Sequence, residues 1–159
     1  MRKESDFYPT PNWCFETLPI NFNNYKTALE PCKGDGRIVS FLENKDITVD
    51  WCEIREGLDF LEPDFDFGLY DLILTNPPFS LALEFIKKSL EISDTVILLL
   101  RLNFLGAQCR KEFWQNNEPD TLYILSKRPS FTGKGTDSTE YAWFVWDKTN
   151  KIEKGIFHI

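Results

Sequence analysis

Two short loops hold the side chains of this chain best suited to chemistry. The first, Glu30-Pro31-Cys32-Lys33-Gly34-Asp35-Gly36, follows Lys26-Thr27-Ala28-Leu29. The second, Asn76-Pro77-Pro78-Phe79, follows Tyr70-Asp71-Leu72-Ile73-Leu74-Thr75. Glycines two apart let a backbone approach a bulky ligand and then turn into a helix. Asn-Pro-Pro-aromatic presents a side-chain amide, a stiff backbone carbonyl and a ring in one geometry, because proline fixes φ. Those are two hydrogen-bond acceptors beside a stacking surface. A plainer reading also exists, in which the tetrapeptide is a rigid turn entering a helix with Ser80 as its N-cap. Two prolines and an aromatic are more than a cap needs.

Glu53 adds to the first loop. It ends the run Ile47-Thr48-Val49-Asp50-Trp51-Cys52-Glu53, and an acid at the end of the next strand can accept both hydroxyl hydrogens of a ribose.

Loops of this kind need a scaffold, and the pattern supplies one. Pro9 and Pro11 make an extended entry, followed by a short helix over residues 13–18. Strands are expected at 26–30 and 47–53, with a helix between them whose apolar stripe is Ile38, Phe41 and Leu42. Residues 57–68 read as loop. A helix over 81–91 places Leu81, Phe85, Ile86 and Leu90 on one face. Residues 95–102 are nearly all apolar, as expected of a strand covered on both faces. A further helix is expected at 106–116. Strands at 122–125 and 141–146 close the pattern, joined through a polar, glycine-rich loop at 130–139. Alternating strands and helices predict a mostly parallel, doubly wound α/β sheet, and the last two strands an antiparallel pair at its edge. In such sheets ligands bind beyond the carboxyl ends of the strands, where both loops and Glu53 fall.

Composition narrows the class. With 159 residues, 42% hydrophobic and 15% aromatic, the chain is expected to form one domain over 1–159, not a disordered segment. Its longest apolar run, Val96-Ile97-Leu98-Leu99-Leu100, is too short for a bilayer, so no membrane partner is expected. The first residues lack the apolar segment of a secretory signal, which points to the cytoplasm. Cys14, Cys32, Cys52 and Cys109 are not spaced as metal ligands, and His158 reads as a tail residue, so no metal is expected. The net charge of −7 is unevenly spread: residues 1–75 hold 7 Lys/Arg against 15 Asp/Glu, and residues 76–159 hold 11 against 10. Contacts to a phosphate backbone should therefore come from the second half, with Arg101, Arg110, Lys111, Lys127, Arg128 and Lys134 as candidates.

Over residues 6–146 these loops, in this order, resemble the S-adenosylmethionine (SAM)-dependent DNA adenine-N6 methyltransferases of the small phage type. The resemblance implies a Rossmann-like SAM-methyltransferase fold with an antiparallel C-terminal edge pair, SAM as cofactor and DNA as partner. It places Glu30, Gly34 and Gly36 in the cofactor loop and makes Glu53 the ribose-binding acid. In Gly57-Leu58-Asp59-Phe60-Leu61, it implies that Asp59 bonds the adenine amino group of SAM and that Phe60 covers the ring. Tyr8 and Thr10, in Tyr8-Pro9-Thr10-Pro11, would close over the methionine end. Asn76, Pro77, Pro78 and Phe79 match the catalytic motif, with Asn76 also at the cofactor. Arg128-Pro129-Ser130-Phe131-Thr132-Gly133 places Phe131 near a flipped base. The implied chemistry is methyl transfer to an adenine amine held by the Asn76 side-chain oxygen and the Pro77 carbonyl, with Phe79 stacked on the extruded base.

Two departures stand out. Lys33 puts a positive charge where a small residue is usual, beside a site for a cationic cofactor. No separate target-recognition domain is expected either, so recognition would fall to loops of the catalytic domain, an accessory specificity partner or a second copy. Alternatives are methyl transfer to RNA adenine or to a protein glutamine amide, and a non-catalytic SAM-fold binding module.

Overall fold

The computed structural model describes residues 8–63 and 66–159. Asp6, where the resemblance begins, and two residues of the 57–68 loop lie outside them. Seven strands form one sheet in the order β2-β1-β3-β4-β6-β5-β7. They are β1 (Thr27–Glu30), β2 (Thr48–Trp51), β3 (Tyr70–Thr75), β4 (Ser93–Arg101), β5 (Thr121–Ile124), β6 (Tyr141–Asp147) and β7 (Gly155–His158). Four helices accompany them: α1 (Asn12–Glu16), α2 (Arg37–Glu43), α3 (Ala82–Ile92) and α4 (Lys111–Asn116). No helix among the described residues is long and apolar enough to cross a membrane.

Period-two alternation divides the core between the two faces of the sheet. Ile97 and Leu99 of β4 join Trp143 and Val145 of β6 under α1 and α2, where Phe15, Ile38 and Leu42 cover them. Val96, Leu98 and Leu100 join Phe144 and Trp146 under α3, where Phe85 and Ile86 lie. The indole of Trp143 donates to the Cys14 carbonyl at 2.7 Å, tying α1 to the sheet. A strand that is apolar at every position must be covered on both faces, and β4 and β6 lie side by side in the sheet interior.

The expected antiparallel pair is present, with one further strand outside it. β5 and β6 are antiparallel, but β6 inserts between β4 and β5, and the edge is β7, parallel to β5. β6 is therefore the single reversed strand. All seven of its residues are buried, whereas β7 alternates half-buried and exposed, the pattern of an edge. His158 is an exposed member of that strand.

The helix expected at 106–116 is also shorter. Short 3-10 turns occupy Leu102–Leu105 and Gln108–Arg110, and α4 begins only at Lys111. Between them Ala107 takes φ 78°, which no helix can include. β4 begins at Ser93 directly where α3 ends.

Candidate active site

Strands β1, β2, β3 and β4 are mutually parallel, so their carboxyl ends share one rim of the sheet. Beyond that rim lies a cavity of about 860 Å³. Its walls come from each strand end in turn: Glu30 closes β1, Glu53 follows β2, Asn76 follows β3 and Arg101 closes β4. Tyr8, Thr10, Gly34, Asp59, Pro77, Pro78 and Phe79 complete the predicted residues that line it.

The glycine loop is held by its own backbone. Lys33 N–H donates to the Cys52 carbonyl and Gly36 N–H to the Lys33 carbonyl, both at 2.9 Å. Gly36 has φ 88° and caps α2. A Cβ there would meet nothing within 4 Å, so the left-handed backbone, not crowding, calls for glycine. Gly36 itself does not line the cavity.

Glu53 fastens this loop to the next. Its Oε2 accepts Gly34 N–H at 2.9 Å, and its Oε1 accepts the backbone and side-chain N–H of Arg55 at 3.1 and 3.0 Å. Burial alone would raise its carboxyl, but the Arg55 and Gly34 donors outweigh it and hold the group below the usual range. Glu30 is the opposite case. It is fully enclosed, and burial pushes its carboxyl up to about 8, eased in part by the nearby Thr75 hydroxyl and the Cys32 N–H. Oε1 accepts the Cys32 N–H at 2.8 Å, while Oε2 has no hydrogen-bond partner.

Asn76 is turned by a residue far away in the sequence. Its Nδ2 donates to the Thr10 hydroxyl at 3.0 Å, and its buried Oδ1 has no partner. Pro77 is buried behind it. Phe79 opens a 3-10 turn, Phe79–Leu81, that runs into α3. Ser80 is exposed and caps neither element: Pro78 and Leu81 occupy the cap positions, with no side-chain bond. The Phe79 ring lies 4.8 Å from the Arg101 guanidinium carbon and 5.5 Å from the Tyr141 ring.

Neither a family model nor a curated protein sequence matches this chain. Solved structures do. A Listeria monocytogenes protein assigned as a class I SAM-dependent methyltransferase aligns with 99% of this chain and 67% of its own length, at a TM-score of 0.62 and 11% identity. A Pyrococcus horikoshii protein assigned as an RNA methyltransferase aligns over 91% of this chain and 89% of its own, with TM-score 0.60 and 17% identity. A Vibrio vulnificus modification subunit, assigned to a type I restriction enzyme, aligns over 96% of this chain at TM-score 0.57 and 16% identity. This chain spans 46% of that subunit. The fold is that of the class I SAM-dependent methyltransferases.

In this methyltransferase fold the sequence-predicted residues do not all arrive at the cavity. Phe60 is 1% exposed and packs against Phe67 and Phe85 beneath α3. It lies in the core, because an aromatic flanked by Leu58 and Leu61 is drawn into the apolar layer. Ile54 lines the cavity instead, 40% exposed beside Glu53. An isoleucine directly after a strand-end acid, at the start of a short 3-10 turn, is the signal that could have found it. Phe131 does not line the cavity. It stands behind Phe79, 6.4 Å from that ring and 6.1 Å from Tyr8. Asp59 does line it, its Oδ1 accepting the Leu61 N–H at 3.0 Å. Lys33 is neutralised: its ammonium is 2.7 Å from Glu56 and 3.6 Å above the Trp51 ring. That ion pair answers the departure noted in the loop.

Proposed function

We propose that this chain is a SAM-dependent methyltransferase acting on the N6 amine of adenine in DNA. The observation that carries the reading is the pairing at Asn76, a cavity-lining residue whose nitrogen is tied to Thr10 and whose oxygen is buried and unpartnered. An unpartnered buried acceptor is costly, so a donor belonging to a ligand is its natural complement.

The residues fit SAM. The cavity is large enough for a nucleoside-sized ligand, and one enclosed Glu30 oxygen lacks a donor. Its wall mixes Glu30, Asp35, Glu53 and Asp59 with Lys33, Arg37, Arg55 and Arg101, which suits a cofactor that carries a carboxylate as well as an amine and a sulfonium. Glu53 would hold the ribose through the lone pairs its present bonds leave open, with Ile54 against the adenine ring and Asp59 toward its amino edge. Glu30, Gly34, Tyr8 and Thr10 would enclose the methionine end. When bound, SAM supplies a methyl group activated by its positively charged sulfur.

The chain's own residues prepare the acceptor. An adenine amine is a weak nucleophile because its lone pair is delocalised into the ring. Asn76 Oδ1 and the Pro77 carbonyl would take its two hydrogens and draw the nitrogen toward tetrahedral geometry, directing the lone pair at the methyl. Phe79 would stack on the extruded base, a contact contributing about 1–3 kcal/mol. Alignment of amine, methyl and sulfur supplies the rest.

Similarity to a restriction-enzyme modification subunit supports DNA as acceptor, and similarity to an RNA methyltransferase keeps RNA adenine as the second reading. The phenylalanine at position 79 favours a nucleic-acid base over a glutamine amide. Methyl transfer from labelled SAM to unmethylated plasmid DNA, RNA and protein, assayed side by side, tests the proposal. The expected product is N6-methyladenine in digested DNA. Methylated cytosine, or label found only in RNA or protein, would refute the DNA-adenine assignment.

A further inference from the structure

A second cavity, of about 210 Å³, adjoins the first, and Phe79 and Arg101 line both. Its remaining wall is Ala82, Leu100, Asn103, Phe104 and Arg110. The two cavities differ in charge. The larger mixes four acidic with four basic side chains, whereas the smaller has no carboxylate and presents two guanidinium groups and one amide.

Arg110 is held in place without being neutralised. Its Nε donates to the Phe104 carbonyl at 2.9 Å, and its guanidinium lies 4.3 Å over the Phe104 ring. Among the described residues it forms no ion pair, so the outer edge of its fork has no carboxylate to meet. Arg101 is differently engaged, with Nε on the Tyr141 hydroxyl and Nη2 on Asp137, both at 3.1 Å. Asn103 is exposed at the same rim. A half-buried guanidinium with no counter-ion calls for an anion, and its planar fork matches the oxygens of a phosphate. The volume is below that of a nucleoside site and sufficient for a phosphate group.

Resting on the methyl-transfer reading above, we infer that this cavity seats a backbone phosphodiester of the nucleic-acid acceptor, clamped by Arg110 and Arg101 beside the nucleotide whose base meets Phe79. The polyanionic acceptor then meets guanidiniums in a wall that holds no carboxylate, with Phe79 on the boundary between the cavities. A glutamine side chain of a protein carries no anion for the smaller cavity, so this subsite selects a nucleic acid over a peptide.

The test uses Arg110→Gln and, at the exposed rim, Asn103→Asp. Fluorescence anisotropy follows binding of short mixed-sequence single-stranded DNA and RNA over a range of salt, while calorimetry follows SAM and thermal unfolding checks folding. Arg110→Gln is expected to weaken both oligonucleotides roughly tenfold and to lower the slope of log affinity against log salt by about one. Asn103→Asp should weaken both by repulsion, and SAM affinity and unfolding should stay as in the wild type. Unchanged oligonucleotide affinity in both variants would overturn the inference. So would a loss with an unchanged salt slope, which traces to packing on Phe104, or a loss confined to DNA or to RNA, which traces to sugar or base. SAM binding and methyl transfer by the wild type report separately on the underlying reading.

Discussion

Asn76 and Phe79 should fail at different stages of one reaction. Asn76→Ala removes an acceptor whose bond strengthens as charge develops on the amine, so it should lower the methylation rate at least a hundredfold while changing DNA affinity little. Phe79→Ala removes a surface that stabilises the extruded base in ground and transition states alike. Its loss should shrink on substrates with a mismatched target adenine, where extrusion costs less. Single-turnover rates beside equilibrium binding separate the two. Glu30 makes a prediction about stability. Its carboxyl sits at about 8 in the fold against a reference of 4.5, so the folded state holds a proton that the unfolded chain releases. The resulting contribution is full below about 4.5, falls as pH rises to about 8, and is flat beyond. Glu30→Gln, which keeps the shape but cannot ionise, should shift the urea midpoint upward at pH 8 and leave it nearly unchanged at pH 4.5. Equal shifts at both would mean that the enclosed carboxyl does not titrate with folding.

At the scale of elements, the segment between β4 and α4 carries the clearest strain. Ala107 has φ 78° and ψ 130°, a region that glycine enters freely and alanine does not. Ala107→Gly should therefore stabilise the protein by about 1 kcal/mol, read from chemical denaturation, and a destabilised variant would show that the loop relaxes otherwise. The loops at the strand ends were legible because their chemistry is local: Gly34 and Gly36 permit a left-handed backbone, and the two prolines fix theirs, wherever the chain goes. Direction was less legible. Phe60 and Ile54 both read as apolar residues near Asp59 and Glu53, and only the packing of α3 decides which faces inward. The Thr10–Asn76 bond was invisible for the same reason, since two polar residues in separate motifs carry no periodic signal. β7 escaped notice because Gly155-Ile156-Phe157-His158 is too short and mixed to register as alternation.

The whole molecule depends on the one strand that runs against the rest. β6 pairs with β4 along its length, from Thr95↔Asp147 to Arg101↔Tyr141, and with β5 on its other side. Strand order and chain order therefore disagree where the core is thickest: β4 leaves a gap that only residues far downstream can fill. Asp147, at the end of β6, closes the arrangement by accepting the backbone N–H of Lys151 and Ile152 at 2.7 and 2.8 Å, which starts the turn toward β7. During synthesis, then, the apolar flank of β4 leaves the ribosome well before its partner exists. Chains generally gain structure from the N-terminus as they emerge, but here the first hundred residues form a half-sheet with an open hydrophobic edge, a template for wrong pairing. A chain stopped at Thr139 should be cut by protease throughout, including β1 and α2, while one carrying residues through Asp147 should resist. Protection of the shorter chain would mean that the first four strands fold alone. Otherwise the protein commits to its shape only once β6 has been made, and until then its survival in the cell rests on whatever shields β4.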